Sequence, residues 1–597
     1  MATRSGNGQR RPSASGRIRF LPAPRVGAPA VRHRLLLVSF LVIALVISGR
    51  LLWVQGLNAS TLAQEAVKQR TVERVMPALR GAIVDRSGTP LATSVERYDL
   101  WVDQRQVPGF KKNSKKAKVK GIDAAAQELA PVLGWSLAQT KKALTGKRGF
   151  LYLKKNVEPA VYSAVMSLRI PGVGGDRVAD RIYPAGSVGG NIIGFVGSDG
   201  NALAGAEYTY DKELRGTDGS TTYERGAGGQ IIPTGKQHTT EPVDGQGLVL
   251  TIDRDLQWKA QQVIAGAVEQ WGVTGGSAIV YNARTGEVFA LADYPTYDPN
   301  DPGAAPAEDR GNRSISNVFE PGSAGKLFTL AAALEEGTAT PTSHYIIDYE
   351  QRFRGERIKD SHQHPRQRMT LAGILKDSSN VGTVQVAETL TPQVRYDYLR
   401  AFGLGERTGV GLPGESAGVV HPPEKWTGRT RYTTAFGQGY SVNALQMVAT
   451  VGTFANEGVR VQPTIVKGVQ EADGKVRPLG EPKRTRVVSA KTADEMVRLM
   501  DTAVDDGTSA AKVPNYAVAG KTGTAEVSDG TYSPSFIGFA PADDPEIVIG
   551  VFLFGMKTYI SGARAAAPPF ADLMSYSLQS QGIAPTGRAP RTYETEW

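Results

Sequence analysis

One stretch narrows what this chain can fold into more than any other. LLLVSFLVIALVISGRLLWV, residues 35–54, is 20 residues long and nearly all apolar. At about 1.5 Å per residue a helix of that length spans roughly 30 Å, one hydrocarbon core. Arg50 sits near one end, where its stem can reach the interface, and Trp53 suits the same depth. Residues 1–34 hold eight Arg, no Lys and no acid, which predicts a cytoplasmic N-terminus. A cleaved signal peptide is the alternative, but no A-x-A site follows and the run is long for its apolar region. The expectation is an uncleaved signal-anchor in the plasma membrane, single-pass, with everything after residue 55 outside the cytoplasm.

That anchor reinterprets the charge. The net charge is +11, but the arginines of the basic tail leave only +3 for the remainder. A near-neutral body behind a basic tail is not the profile of a nucleic-acid-binding protein. There is no cysteine, which excludes thiol catalysis, disulfides and Cys-ligated metal centres. The 597 residues call for more than one domain. Residues 1–34, rich in Arg, Pro, Gly and Ser, read as a disordered cytoplasmic tail, and 581–597 as a second disordered tail. Residues 55–245 are glycine-rich with short β-prone runs such as ERYDLWV, plus the lysine-rich KKNSKKAKVK (111–120), which reads as a solvated turn.

A boundary falls at the turn VDGQG (243–247), ahead of the strand LVLTI. From 246 to 580 a second domain is expected. A helical pattern runs from Asp253 to Trp271, ended by Gly272. SAIVYNARTGEVFALA reads as a hairpin of strands 277–281 and 287–292. Residues 323–336 read as a helix closed by Gly337, with further helices in 370–400 and 441–456. YAVAGKTGTAEV, SFIGFA and EIVIGVFLFG read as strands. Strands at both ends with helices between suggest an α/β (α+β) domain with a largely antiparallel sheet.

Within it, FEPGSAGKLF places Ser323 and Lys326 one helical turn apart. Serine needs a base to attack, and a lysine made neutral by burial or a neighbouring cation can be that base. Ser-x-x-Lys alone is weak evidence. KDSSNVG adds Ser378 for proton relay and Asn380 to hold Lys326 and a substrate carbonyl. VAGKTGTAEV adds Lys521, Thr522, Gly523 and Thr524; the lysine can hold a substrate carboxylate, and the glycine admits a ligand to the strand backbone. The ordered set Ser-x-x-Lys, Ser-x-Asn, Lys-Thr-Gly marks β-lactamases and penicillin-binding proteins. A P-loop is rejected: the position it requires to be glycine is Glu320 before Lys326 and Asn515 before Lys521. His362-x-His364 lacks the carboxylates of a metal site and reads as surface loop.

These motifs resemble class B penicillin-binding proteins, the monofunctional peptidoglycan D,D-transpeptidases. RGAIVDRSGTPLA (80–92), RIYPAGSVGGNIIGFVG (181–197) and AGAE (204–207) resemble the family's pedestal motifs, whose expected role is to hold the fold. FGLGERTGVGLPGE (402–415) and FGQGYSVNALQ (436–446) resemble stretches of its transpeptidase domain. Ser379 in the middle motif is common in this branch, whereas the small Ala324-Gly325 pair is unusual. The resemblance implies a multidomain α/β protein: a transmembrane helix, a β-rich pedestal (55–245), and a transpeptidase domain (246–580) with a mainly antiparallel sheet flanked by helices. It implies that Ser323 attacks the D-Ala-D-Ala carbonyl of a stem peptide and that Lys326 takes its proton. Ser378 and Asn380 would relay protons and hold Lys326. The backbone N–H groups of Ser323 and Thr524 would form the oxyanion hole, and Lys521, Thr522 and Thr524 would hold the terminal carboxylate. β-Lactams would acylate the same serine, with no metal or cofactor. The implied partners are a SEDS-family glycosyltransferase and other divisome membrane proteins, in septal synthesis. Elongation, sporulation, D,D-carboxypeptidase, β-lactamase and non-catalytic scaffold or sensor roles are the alternatives.

Overall fold

The computed structural model describes residues 29–111, 120–226, 232, 235, 237–471, 473–527 and 530–597. Most of the basic tail, and residues 112–119 of the lysine-rich stretch, lie outside them. The chain divides into two compact units, residues 1–74 with 221–239 and residues 75–220 with 240–597.

In the first unit, Pro29–Leu52 is one helix of 24 residues with no buried side chain. It starts at Pro29, a favoured first helical residue, so residues 29–34 of the expected disordered tail are helical instead. Pro29–Leu57 is long and apolar enough to cross a membrane. The Arg50 guanidinium lies over the Trp53 ring at 4.5 Å, pairing the two residues assigned to the interface.

The second unit contains the region expected from 246 to 580 and the expected pedestal region apart from residues 55–74 and 221–239. Pro90–Val102 carries Val173–Ile182 antiparallel along its length, from Thr93 opposite Ile182 to Val102 opposite Val173. The Glu207 carboxylate, fully buried, is held by Arg80 Nε at 2.5 Å and Arg181 Nε at 2.8 Å. That lock joins the three pedestal segments RGAI, RIYPAG and AGAE, and its work is structural. Ile83–Val84 runs parallel to Gly247–Leu250, which pairs in turn with Val466–Gln470. One sheet therefore passes through the boundary placed near 245.

A second, five-stranded sheet has the order Val288–Tyr294, Gly275–Asn282, Ile547–Phe554, Tyr532–Ala540, Ala519–Glu526, antiparallel throughout. All eight residues of Gly275–Asn282 are buried. Alternation sorts them: Ala278 and Val280 join Leu256, Ile264, Phe570 and Leu573 in one core, while Ile279 and Tyr281 join Phe328, Leu445 and Val448 in another. Helices thus cover both faces. The helix Arg254–Trp271 has the caps its sequence dictates: the Asp253 side chain accepts from Asp255 and Leu256 N–H, and Gly272 follows at φ 60°.

The segment after Ser580 is a correction. It was expected to be disordered because it is polar and contains Pro and Gly. Instead Arg591 N donates to Asp501 and Tyr593 N to Thr502 Oγ1. Thr370 N donates to Thr595 O, Met369 pairs with Glu596, and Trp597 stacks on His344 at 4.3 Å. The segment makes one isolated β-bridge beside Gln367–Thr370, Met369 to Glu596. Gly373 makes room for it, since a Cβ there would lie 2.1 Å from Thr595 O.

Candidate active site

Ser323 sits in the 3-10 turn Gly322–Gly325, immediately before the α-helix Lys326–Glu335. Lys326 is wholly buried. Its Nζ lies 3.0 Å from Ser323 Oγ, 2.5 Å from Ser378 O and 3.0 Å from Ser378 Oγ. Burial drives the Lys326 pKa well below the usual lysine range; the Lys521 cation adds to this and Asp360 opposes it. A neutral amine has two N–H groups and one lone pair. With the N–H groups donated to the Ser378 oxygens, the lone pair is left for the Ser323 hydroxyl proton, the arrangement a general base requires.

Ser378 adopts a left-handed backbone, φ 59°. That conformation costs a non-glycine residue about 1–2 kcal/mol. Ser379 Oγ caps the next helix by accepting from Gly382 N and donates to Asp360 Oδ2 at 2.8 Å. Asn380 lines the cleft and its Nδ2 donates to Lys359 O at 3.1 Å; Lys326 Nζ, which Asn380 was expected to hold, is held by the two Ser378 oxygens.

Lys521 is buried on the edge strand Ala519–Glu526, and its Nζ donates to Thr522 Oγ1 at 3.1 Å. Burial lowers its pKa to about 8. Thr522 and Thr524 line the same cleft as Ser323, Ser378 and Asn380, together with Arg429 and Tyr559. The structure therefore brings all three motifs to one place.

Two glycines read differently in three dimensions. A Cβ on Gly523 would meet Ser535 Oγ at 2.4 Å and Pro321 O at 2.9 Å. The space expected to admit a ligand is used to seat the strand against the Ser323 turn. A Cβ on Gly325 would lie 2.5 Å from both Gly437 Cα and Tyr440 OH. The unusual small residue inside Ser-x-x-Lys thus matches a close neighbour.

Sequence reasoning missed Asp360, read as part of a solvated loop. It is 6% exposed. Besides Ser379 Oγ, it accepts from Asn380 N at 2.5 Å and Val381 N at 2.9 Å. Its one available signal was an acid inside the only segment between the first two motifs that carries paired histidines.

Residues 276–575 match the penicillin binding protein transpeptidase domain, and residues 75–250 match the penicillin-binding protein dimerisation domain. Penicillin-binding protein PbpB of Mycolicibacterium smegmatis is 36% identical over 587 residues, covering 92% of this chain and 90% of that one. Peptidoglycan D,D-transpeptidase FtsI of Escherichia coli is 30% identical over 550 residues, covering 90% of each. The crystal structure of penicillin binding protein 3 from Mycobacterium tuberculosis, complexed with aztreonam, superposes with a TM-score of 0.66 at 30% identity. It covers 87% of this chain and 100% of that one.

Proposed function

This chain belongs to the penicillin-binding protein family, with its dimerisation and transpeptidase domains, and on that premise we propose that it is a peptidoglycan D,D-transpeptidase acting through an acyl-enzyme on Ser323. The observation that carries the reading is the buried Lys326 amine placed between the Ser323 hydroxyl and both oxygens of Ser378.

In this reading Ser323 Oγ attacks the carbonyl of the D-Ala-D-Ala bond while its proton passes to Lys326 Nζ. The oxyanion rests between the backbone N–H groups of Ser323 and Thr524. The C–N bond then breaks, and the departing D-Ala amine takes its proton from Lys326 through Ser378 Oγ. Lys521, Thr522 and Thr524 hold the terminal carboxylate before it leaves, and Asn380 lines the donor peptide. An amine from a second stem attacks the ester, forms the cross-link and returns the proton to Ser323. β-Lactams acylate the same oxygen.

The arginines of the basic tail support an anchor with its N-terminus in the cytoplasm and the catalytic domain outside. The assignment is to septal wall synthesis, with which the relatives named PbpB and FtsI agree. A SEDS-family glycosyltransferase supplies the glycan strands, and other divisome membrane proteins meet the anchor and pedestal.

The test is turnover. Full-length protein in detergent is given a synthetic stem peptide ending in D-Ala-D-Ala and an amine acceptor. Mass spectrometry should find free D-Ala together with a cross-linked product. Free D-Ala with only the hydrolysed stem would make the protein a carboxypeptidase. Neither product would overturn the reading.

A further inference from the structure

His364 lies outside the three motifs, yet both of its ring nitrogens face oxygen. Nε2 is 3.0 Å from Asp360 Oδ2, and Nδ1 is 2.7 Å from Pro365 O. A carbonyl oxygen only accepts, and a neutral imidazole has only one N–H. In a neutral ring one of these contacts would therefore oppose two lone pairs, unless Asp360 carried the missing proton. Asp360 is already the acceptor for three other donors, Asn380 N, Val381 N and Ser379 Oγ. That pattern belongs to a carboxylate. The contacts are satisfied together when the ring is an imidazolium.

The surroundings agree in sign. Asp360 lies on the same segment, Asp377 faces the ring from the end of the helix Leu371–Lys376, and Asp348 lies on the turn after His344–Ile347. Asp348 is itself paired with Arg366 at 2.8 Å. The Tyr349 ring stands edge-on at 6.1 Å. The Asp360 charge also acts on the Lys326 amine, as does the Lys521 cation. Burial of the ring works against its charge, but the hydrogen bonds to Pro365 O and Asp360 outweigh this and leave its pKa above the usual histidine value.

We propose that His364, as an imidazolium, is a positioning residue for acylation, holding the Ser378–Asn380 turn against Lys326 through the Asp360 carboxylate. It touches no substrate. Asp360 grips the turn at three points, and the turn presents both Ser378 oxygens to Lys326 Nζ. A second effect runs the same way. The Asp360 charge favours protonated Lys326, and the imidazolium offsets that charge, leaving more of the amine as free base.

A raised folded-state value means that the contribution is complete below the ordinary histidine range and is lost as pH rises through the raised value. The inference rests on Ser323 being the nucleophile.

The experiment measures the second-order rate of acylation by a fluorescent penicillin, using full-length protein in detergent, from about pH 5.5 to about pH 9. Parent, His364→Gln and His364→Arg are compared. The parent should exceed His364→Gln by about tenfold at the acid end, the worth of one charge-assisted hydrogen bond. The ratio should fall toward one at the alkaline end. His364→Arg, which stays charged, should keep its advantage over His364→Gln across the range. Shared titrations such as that of Lys521 cancel in these ratios. A ratio that does not change with pH overturns the proposal, because a purely structural loss would not track the charge. If His364→Gln does not fold, the parent should still lose rate relative to His364→Arg as pH rises, and parallel profiles would overturn it. A parent that forms no adduct at any pH would overturn the Ser323 reading itself, and this inference with it.

Discussion

Ser378 turns both of its oxygens onto Lys326, the carbonyl at 2.5 Å and the hydroxyl at 3.0 Å from Nζ. It does so from a left-handed backbone, φ 59°. Strain stored at one serine thus gives the buried amine two acceptors and leaves its lone pair for Ser323.

Replacing that serine should separate stability from activity. Ser378→Gly relieves the strained φ, so the folded state should be retained or gain about 1 kcal/mol. The same change removes the relay hydroxyl, and acylation should slow by about a hundredfold or more. Thermal unfolding and stopped-flow acylation by a penicillin read the two effects separately.

Acylation should rise and then fall with pH. Lys326 must be neutral to accept the Ser323 proton, and its pKa is depressed, so the rate climbs as pH passes upward through that value. Lys521 must be charged to hold a carboxylate, and its pKa is about 8, so the rate falls above that. Lys521→Arg should carry the falling limb out of the measured range, since guanidinium stays protonated. A rate–pH profile of parent and variant checks both limbs.

The Glu207 lock should matter for stability and not for chemistry. Glu207→Ala leaves the buried Arg181 without its carboxylate and Arg80 with Asp211 alone, which should cost about 3–5 kcal/mol. The melting temperature should drop, while the folded fraction binds penicillin at the parental rate.

Removal of residues 588–597 should also destabilise the fold. It uncovers Thr370, the N-cap of the helix Leu371–Lys376, and takes away the Trp597 stack. A loss of about 2 kcal/mol or more is expected from the freed hydrogen-bonding groups and lost packing. Gly373→Ala should reproduce part of it, because its Cβ displaces Thr595 O. Denaturant titration of the three proteins measures the difference.

Local signals were legible in the sequence where one residue type does one local job. Asp253 and Gly272 bound their helix, Gly337 closes another at φ 67°, and the alternation of Gly275–Asn282 serves two cores. The three motifs were legible because the chemistry limits which residues can stand at each position. Asp360 and His364 were not, since the meaning of Asp360 lies in hydrogen bonds from residues 379–381 and that of His364 in its contact with Asp360. The segment 588–597 was misread for a related reason. Its composition lacks a core-forming pattern, and its order comes from the edge of Gln367–Thr370 and from Tyr593 and Trp597 finding Arg498 and His344. Gly325 and Gly523 carried a packing requirement set by Gly437 and Pro321, which no spacing along the chain announces.

The central claim is that Ser323 Oγ becomes acylated. Full-length protein in detergent would be incubated with a penicillin and its intact mass recorded beside that of Ser323→Ala. The account predicts one stable penicilloyl adduct on the parent and none on the variant. A folded parent that gains no mass, or a variant that gains the same mass, would contradict it.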